Sequence, residues 1–406
     1  MVTREALRVA HETATMIPTV DHQYDNSYAN TGAKIGSVLR VRKPNQYVRT
    51  TGSRVMDVQD QDEATSAITL ATQDHVDMRF NSAELSLTID DFSKRYIEPA
   101  VKVLVGAIEG DAIAYWTKNT YNTAGNTTIT TKMTDLTVPG YARAKMNMHL
   151  APKDDQRYVQ VGSNTMANMV NGLKGLFHDG QQIREQYRNG LMGRTGGADW
   201  YENDRCWTMP LSSDVSGTTD AAAGVTDGGT TLSADTAAPV TLALYTTFTI
   251  AGVYACHPET KQSLGYLRTF INTAGTGSGG DMTISPPTYL TGAKQNVCSV
   301  ASAQLATTDF NSQALVPTNG NVATTINKAY PVGIMYHKEA FQFVTADLPI
   351  MDDAARCVRR TQDGLSLRVW QASDIRNDEL LMRIDILYGM AALRPEWACR
   401  MVDGEI

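Results

Sequence analysis

Thr88-Ile89-Asp90-Asp91-Phe92-Ser93-Lys94-Arg95-Tyr96-Ile97-Glu98-Pro99-Ala100 opens the longest periodic stretch of the chain, which runs on to Trp116-Thr117-Lys118-Asn119. Thr88 and Asp91 stand at the spacing of a capping box, in which side chains satisfy the backbone N–H groups left free at a helix start. Phe92 and Tyr96 fall on one face of a short helix. Pro99 lacks an N–H and its ring clashes inside a helix, but at the first position of a new helix neither matters. The spacing therefore predicts a short helix that turns into a long one at Pro99. Val103, Leu104, Ala107, Ile108, Ala112, Tyr115 and Trp116 recur every three or four residues, as one apolar stripe does. About twenty residues at ~1.5 Å each make a rod of roughly 30 Å.

Before the rod, residues 37–87 read as a long two-stranded ribbon. Val38 to Val41 form the outgoing side. On the return side Val76, Met78 and Phe80 alternate with His75, Asp77 and Arg79, the period of a half-buried strand, and Leu85 and Leu87 continue it. Charge along the ribbon is segregated. Lys34, Arg40, Arg42, Lys43, Arg49 and Arg54 come first, and Asp57, Asp60, Asp62 and Glu63 follow. The acidic block argues against nucleic acid as the target of the basic one. Opposite charges on two halves of a projecting ribbon suit a neighbouring copy of the same chain, so these nine residues from Arg40 to Glu63 are the candidate intersubunit contacts. Residues 1–36 hold a first helix at 3–15 and then a run of Asn, Tyr, Gly, Asp and Ser, the composition of an arm ordered only against another body.

Beyond the rod, residues 139–205 read as mixed α/β. Pro139 opens a helix through Met148, Tyr158 to Val161 form a strand, and Ser163 caps a helix with Met166, Met169, Val170 and Leu173 on one face. Gln181 to Asn189 reads as a further polar helix, ended by glycines. From 211 to about 325 Thr, Gly, Ala and Ser dominate. Strand-like runs at 241–245, 248–254, 266–272, 282–285 and 296–300 alternate with turns, which predicts a small all-β barrel or sandwich inserted into another domain. Residues 212–236 are poor in apolar alternation and read as partly loop. At the end Leu365, Leu367 and Val369 alternate with polar residues, as do Leu380, Met382, Ile384 and Ile386. After Arg394-Pro395 comes a last strand, and these strands are expected to form a sheet under the long helix.

The 406 residues suffice for two or three packed units. Hydrophobic residues make up 42%, but charged ones only 19%, below the ~25% of average soluble domains, which fits a surface covered by partners. The net charge of −7 gives no bulk attraction to nucleic acid or an anionic membrane. Met1 to Ala10 lack the apolar core of a signal peptide, and no apolar run is long enough to span a bilayer. Cys206, Cys256, Cys298, Cys357 and Cys399 are odd in number and scattered, which predicts free buried thiols in a reducing cytoplasm rather than a disulfide framework or zinc site.

No catalytic signature emerges. Gly275-Thr276-Gly277-Ser278-Gly279-Gly280 has no following Lys-Ser or Lys-Thr and no helix, so it reads as a hairpin loop, not a phosphate cradle. His257-Pro258-Glu259 reads as a turn, with no second His at ligand spacing. Asp352-Asp353 beside Arg356, Arg359 and Arg360 reads as a salt-bridged surface loop. No cofactor or metal is expected.

Several stretches resemble the major coat proteins of short-tailed phages of the Salmonella type. They are Leu87 to Ala100; Phe248-Thr249-Ile250-Ala251-Gly252-Val253 with His257-Pro258-Glu259-Thr260-Lys261; Ser373-Asp374-Ile375-Arg376-Asn377-Asp378; and Tyr388-Gly389 with Leu393-Arg394-Pro395-Glu396. The resemblance implies an α+β chain with the Hong Kong 97 capsid fold. It assigns 1–36 to an N-terminal arm, 37–87 to the extended loop and 88–138 to the peripheral domain with its spine helix. It assigns 139–206 and 326–379 to the axial domain, 207–325 to an inserted β-barrel and 380–406 to closing strands of the peripheral domain. It further implies self-assembly of identical subunits, as hexamers and pentamers, into an icosahedral phage head. The implied partners are a scaffolding protein, a portal protein, non-specifically packaged double-stranded DNA and a decoration protein, with no membrane. The implied place is the virion, after synthesis in the host bacterial cytoplasm. Two competing expectations are an encapsulin-like compartment subunit of the same fold and a glycan-binding module formed by the insert around Trp207.

Overall fold

A computed structural model describes residues 2–22, 38–53, 56, 58–59, 63–81, 93–125, 132–173, 192–209, 217–220, 225–235, 242–275, 280–318, 330–351, 356–362, 365–374 and 379–403. The chain divides into two compact units. One comprises Met1–Arg42, Thr65–Trp116 and Phe341–Leu393, the other Lys43–Ala64, Thr117–Ala340 and Arg394–Ile406. Helices are numbered α1–α4 and strands β1–β21 along the chain.

The first unit is built on α2 (Glu98–Asn119), which follows a π-helical turn at Ser93–Ile97 and belongs to this unit as far as Trp116. Pro99 is its second residue, where a missing N–H costs nothing. The capping box Thr88/Asp91 and Phe92 lie outside the described residues. The buried stripe is Val101, Leu104, Val105, Ile108, Ala112, Ile113 and Trp116, whereas Val103 is 67% exposed and Tyr115 40%. The expected stripe is therefore rotated. Apolar residues fall on every side of α2, so spacing alone cannot choose the face.

Beneath α2 lies an antiparallel sheet of β3 (Thr72–Asn81), β17 (Phe341–Ala346), β18 (Arg356–Gln362), β19 (Leu365–Asp374) and β20 (Glu379–Ala392). The order is β17-β20-β19-β18, with β3 on the other edge of β20. Alternation in β19 and β20 buries Leu365, Leu367, Val369, Met382, Ile384 and Ile386 on one face, as expected. Val76, Met78 and Phe80 do alternate, but their strand belongs to this sheet. The ribbon's return strand is β2 (Thr65–Thr69), paired with β1 (Val38–Arg42) from Val38↔Thr69 to Arg42↔Thr65. β2 escaped detection because Ile68 is its single large apolar residue. Ile68 and Leu70 pack on Val344, Leu387 and Ala391. There the ribbon crosses Gly389 so closely that a Cβ would meet the Thr69 carbonyl oxygen at 2.3 Å.

α1 (Val2–Thr13) buries Ala6, Leu7, Val9 and Ala10, and the chain after it buries Met16, Ile17 and Val20. Residues 2–22 are thus packed on their own subunit, which corrects the expectation that the arm is ordered only by another body. The rest of that arm, 23–37, lies outside the described residues. The anchor is Glu109 of α2. Its buried Oε1 accepts the Thr15 N–H and hydroxyl, each at 2.8 Å, and the Met16 N–H at 2.5 Å.

The second unit holds a mixed sheet of order β4-β21-β16-β5-β7-β6, with β8 paired to β16. Its strands are β4 (Thr123–Gly125), β5 (Arg157–Val161), β6 (Arg194–Thr195), β7 (Ala198–Glu202), β8 (Thr208–Met209), β16 (Tyr330–His337) and β21 (Ala398–Val402). α3 (Thr137–Met148) and α4 (Ser163–Leu173) bury Ala142, Met146, Met166, Met169 and Leu173 against Val159, Val161, Trp200, Met335 and Met401. The expected helix at 181–189 lies outside the described residues. The last strand, β21, joins this sheet rather than the one under α2. The two compact units meet along the chain at 116/117, 340/341 and 393/394, besides the ends of the ribbon's tip. The crossing at 116/117 lies inside α2, and those at 340/341 and 393/394 lie beside β17 and β20.

Within the second unit the chain leaves the mixed sheet at β8 and returns at β16, its neighbour, with Val332 N–H bonded to the Trp207 carbonyl at 3.0 Å. The intervening insert contains β9 (Gly217–Thr218), β10 (Gly229–Ser233), β11 (Thr247–Cys256), β12 (Ser263–Ala274), β13 (Asp281–Thr288), β14 (Val297–Cys298) and β15 (Ala314–Pro317). The order is β10-β13-β12-β11-β15-β9, and β14 pairs with β11. The two outermost strands meet: Thr219 bridges Ala234, the Asp220 N–H bonds the Ser233 carbonyl at 3.1 Å, and the Asp235 N–H bonds that of Thr218 at 2.9 Å. Val225, Leu232, Phe248, Ile250, Phe270, Met282, Ile284 and Leu315 form its core. The expected strand at 241–245 is instead a tight turn with Tyr245 at φ 68°, and the one at 296–300 shrinks to β14. β9, β10 and β15 are unanticipated: β9 is a Gly-Thr pair, β10 has Leu232 as its single large apolar residue, and β15 is only four residues long. β12 and β13, which flank the glycine-rich stretch, pair antiparallel; residues 276–279 lie outside the described residues.

Candidate assembly surfaces and the joint behind them

β1 is amphipathic. Leu39 and Val41 pack on the core under the ribbon, while Val38, Arg40 and Arg42 share the exposed face. In the second unit the ribbon's tip starts at Lys43, whose N–H bonds the Ala64 carbonyl at 2.7 Å. Gln59 ties its two sides together: its Oε1 accepts the Val48 N–H at 2.8 Å and its amide donates to the Val48 carbonyl at 2.5 Å. Lys43 is half-buried, and Arg49 and Glu63 are exposed. Arg54, Asp57, Asp60 and Asp62 lie outside the described residues. The feature that charge patterning missed is apolar. Tyr47 is 56% exposed, Val58 77% and Met56 87%, inside a run read only for its charges. Large apolar side chains grouped in water mark a surface that another body covers.

A second such group sits between β17 and β18. Pro349, Ile350 and Met351 are exposed, and two arginines hold the backbone beneath them. Arg359 donates to the Leu348 carbonyl at 3.0 Å and pairs with Asp347 at 3.2 Å. Arg368 donates to the Pro349 carbonyl at 2.7 Å. The acid paired with Arg359 is Asp347, not a member of the expected Asp352-Asp353 pair. Asp352 and Asp353 lie outside the described residues.

The insert is fixed to its own mixed sheet by buried polar groups. Arg400 of β21, 2% exposed, donates to the Thr117 carbonyl at 2.7 Å, to that of Lys118 at 3.0 Å, and to that of Tyr245 in the insert at 2.8 Å. One guanidinium thus caps the end of α2 and holds the insert, a task suited to a rigid fork of donors. Beside it, His149 Nε2 lies 2.9 Å from the Tyr266 hydroxyl and 3.3 Å from an Arg268 nitrogen. Arg268 stacks over Tyr121, and Lys145 lies over Tyr266 while donating to the Thr123 carbonyl at 2.6 Å. Burial, then the charges of Arg268 and Lys145, hold the His149 pKa well below its ordinary value, so the ring is neutral. Burial also pushes Tyr266 up to about 12 and lowers Lys145.

His257 Nδ1 accepts the N–H groups of Glu259 and Thr260 at 3.2 and 3.3 Å, which closes the predicted turn. Among the described residues no group of His, Cys, Asp and Glu is placed to hold a metal ion. No described helix is long and apolar enough to cross a membrane.

The family described as P22 coat protein, gene protein 5, matches residues 143–402. No curated protein matches by sequence. Among solved structures, a chain of Mycobacterium phage Che8 is 9% identical with a TM-score of 0.46, covering 95% of this chain and 90% of that one. The capsid of cyanophage P-SCSP1u is 9% identical with a TM-score of 0.43, covering 92% and 84%. The acid-stable capsid of Helicobacter pylori bacteriophage KHP30 is 10% identical with a TM-score of 0.43, covering 95% and 88%.

Proposed function

The chain belongs to the P22 coat protein family and is a phage major capsid protein, and from that premise we propose that it closes an icosahedral head around double-stranded DNA with the help of a scaffolding protein. It is a structural protein, not an enzyme, and identical copies of it build the virion shell. In this reading the Hong Kong 97 plan applies. The first unit corresponds to the peripheral domain with α2 as spine, the mixed sheet to the axial domain, and the insert to a small barrel closed by the Thr219–Ala234 bridge. The ribbon is the extended loop, and its tip laps a neighbouring copy. The observation that carries the lap joint is the exposed group Tyr47, Met56 and Val58 beside Arg49. Head-to-tail contacts of one patch on a different patch close into rings about symmetry axes. Many weak contacts acting together hold such a shell while letting errors dissociate.

The test is electron microscopy of the expressed protein, alone and with a co-expressed scaffold. Shells or polyheads are expected. A monodisperse monomer under every condition overturns the reading.

A further inference from the structure

We propose that Cys256 and Cys298 form a reversible disulfide that staples the insert once the protein meets a low-molecular-weight disulfide. The two residues lie on the paired strands β11 and β14, in register Tyr254↔Cys298 and Ala255↔Val297. Cys256 is two residues from the direct partner of Cys298, so strand alternation puts both side chains on one face. Cys298 is thus one diagonal step across the strand pair from Cys256. Each also meets a neighbouring carbonyl, that of His257 at 3.9 Å for Cys256 and that of Ala255 at 3.8 Å for Cys298. The side chains are buried, at 2% and 0% exposure, and both cysteines are free.

The link would secure the weakest part of the insert. β14 is two residues long, and the chain between the two cysteines carries β12 and β13. Closing a loop of that length restricts the unfolded chain more than a short loop does. The exchange balances. One cysteine thiolate attacks a sulfur of the small disulfide and displaces one thiol. The other cysteine then attacks the mixed disulfide and displaces the second. The protein loses two electrons and two protons, and the small disulfide becomes two thiols. Burial pushes the Cys256 thiol up to about 12 and raises that of Cys298, and only the thiolate attacks. The staple therefore sets slowly, and faster as pH rises or the insert opens. Its purpose, hardening the particle outside a reducing cell, rests on the shell reading; its chemistry does not.

The test uses the full chain as Cys357→Ser, which removes the half-exposed thiol. The variant is incubated with oxidised glutathione at pH 8.5 in non-denaturing urea, trapped with acid and mapped by mass spectrometry. The expected result is a linked Cys256–Cys298 peptide, a fall from four free thiols to two, reversal by dithiothreitol, and a raised melting temperature of the oxidised form. Thiols that stay free, or Cys256 and Cys298 recovered only as glutathione adducts, overturn the proposal. Both readouts apply to unassembled protein, so a failure to form shells leaves them unaffected.

Discussion

Arg368 and Asp385 face one another directly across β19 and β20, and both are buried, at 4% and 0% exposure. The guanidinium grips both carboxylate oxygens, with Nε donating to Oδ1 at 3.0 Å and Nη2 to Oδ2. Gln73 of β3 donates to the same carboxylate at 3.1 Å, and Arg368 also holds the Pro349 carbonyl. One ion pair thus joins three strands and sets the exposed Pro349-Ile350-Met351 loop.

Removing one partner leaves the other charge buried. Asp385→Ala is expected to destabilise the protein by about 3–5 kcal/mol in urea unfolding, far more than the loss of an exposed pair such as Arg79–Glu379.

Glu109 serves three donors of the segment after α1. Glu109→Ala removes this shared acceptor and should cost about 2 kcal/mol or more. Hydrogen exchange should speed up first across Val2–Thr13, with β19 and β20 staying protected.

Arg400→Met keeps the apolar length of the side chain but leaves the Thr117, Lys118 and Tyr245 carbonyls without this donor. The Thr117 carbonyl keeps the Thr120 N–H at 3.2 Å, and loss of a buried partner costs about 1–3 kcal/mol at each of the other two. The expected outcome is earlier proteolytic cleavage around Leu242–Thr246 with the far-ultraviolet circular dichroism retained.

His149 is held neutral when folded, so its pKa is depressed relative to the unfolded chain. The unfolded state then binds the extra proton below about pH 6.5, and this group's contribution to stability falls as pH falls. The slope is about 1.4 kcal/mol per pH unit until the folded ring itself titrates. His149→Gln, which can still bond the Tyr266 hydroxyl, should show a smaller loss between pH 7.5 and pH 5 in parallel urea titrations.

Met56→Ser with Val58→Ser alters side chains that are mostly in water, so monomer stability should change by no more than about 0.5 kcal/mol. Shell yield by sedimentation should fall sharply. An unchanged yield would remove the apolar tip from the lap joint.

What could be read from the residues follows how regular each pattern is. β19 and β20 carry Leu365, Leu367, Val369, Met382, Ile384 and Ile386 at alternate positions, so both were legible as strands, but the burial of Ser366, Arg368 and Asp385 on their other face was not. The α4 face through Met166, Met169 and Leu173 was legible for the same reason. α2 was legible as a helix but not in its orientation, because Val103 and Tyr115 lie in solvent while Val101 and Val105 do not. β2 and β10 offer one large apolar residue each, so their strands depend on partners that are distant in sequence. Charge patterning led to the ribbon but overlooked Met56 and Val58, since exposure is not written in residue type. The unit boundary at 393/394 coincides with the Arg394-Pro395 break, whereas that at 116/117 falls inside the continuous helix α2 and leaves no local mark.

The pairing of β3 with β20, from Thr72↔Tyr388 to Asn81↔Glu379, also fixes when this chain can fold. Gln73 and Asp385 are separated by 312 positions. A ribosome must have passed residue 388 before the sheet under α2 gains its central strand, so the apolar side of the helix waits uncovered through most of translation. The insert has all its strands much earlier and can fold while the rest is still being made. Such long-range closure is slow and leaves sticky intermediates. The nascent protein should therefore depend on chaperones, and a premature stop shortly before 388 should yield inclusion bodies rather than a smaller soluble product.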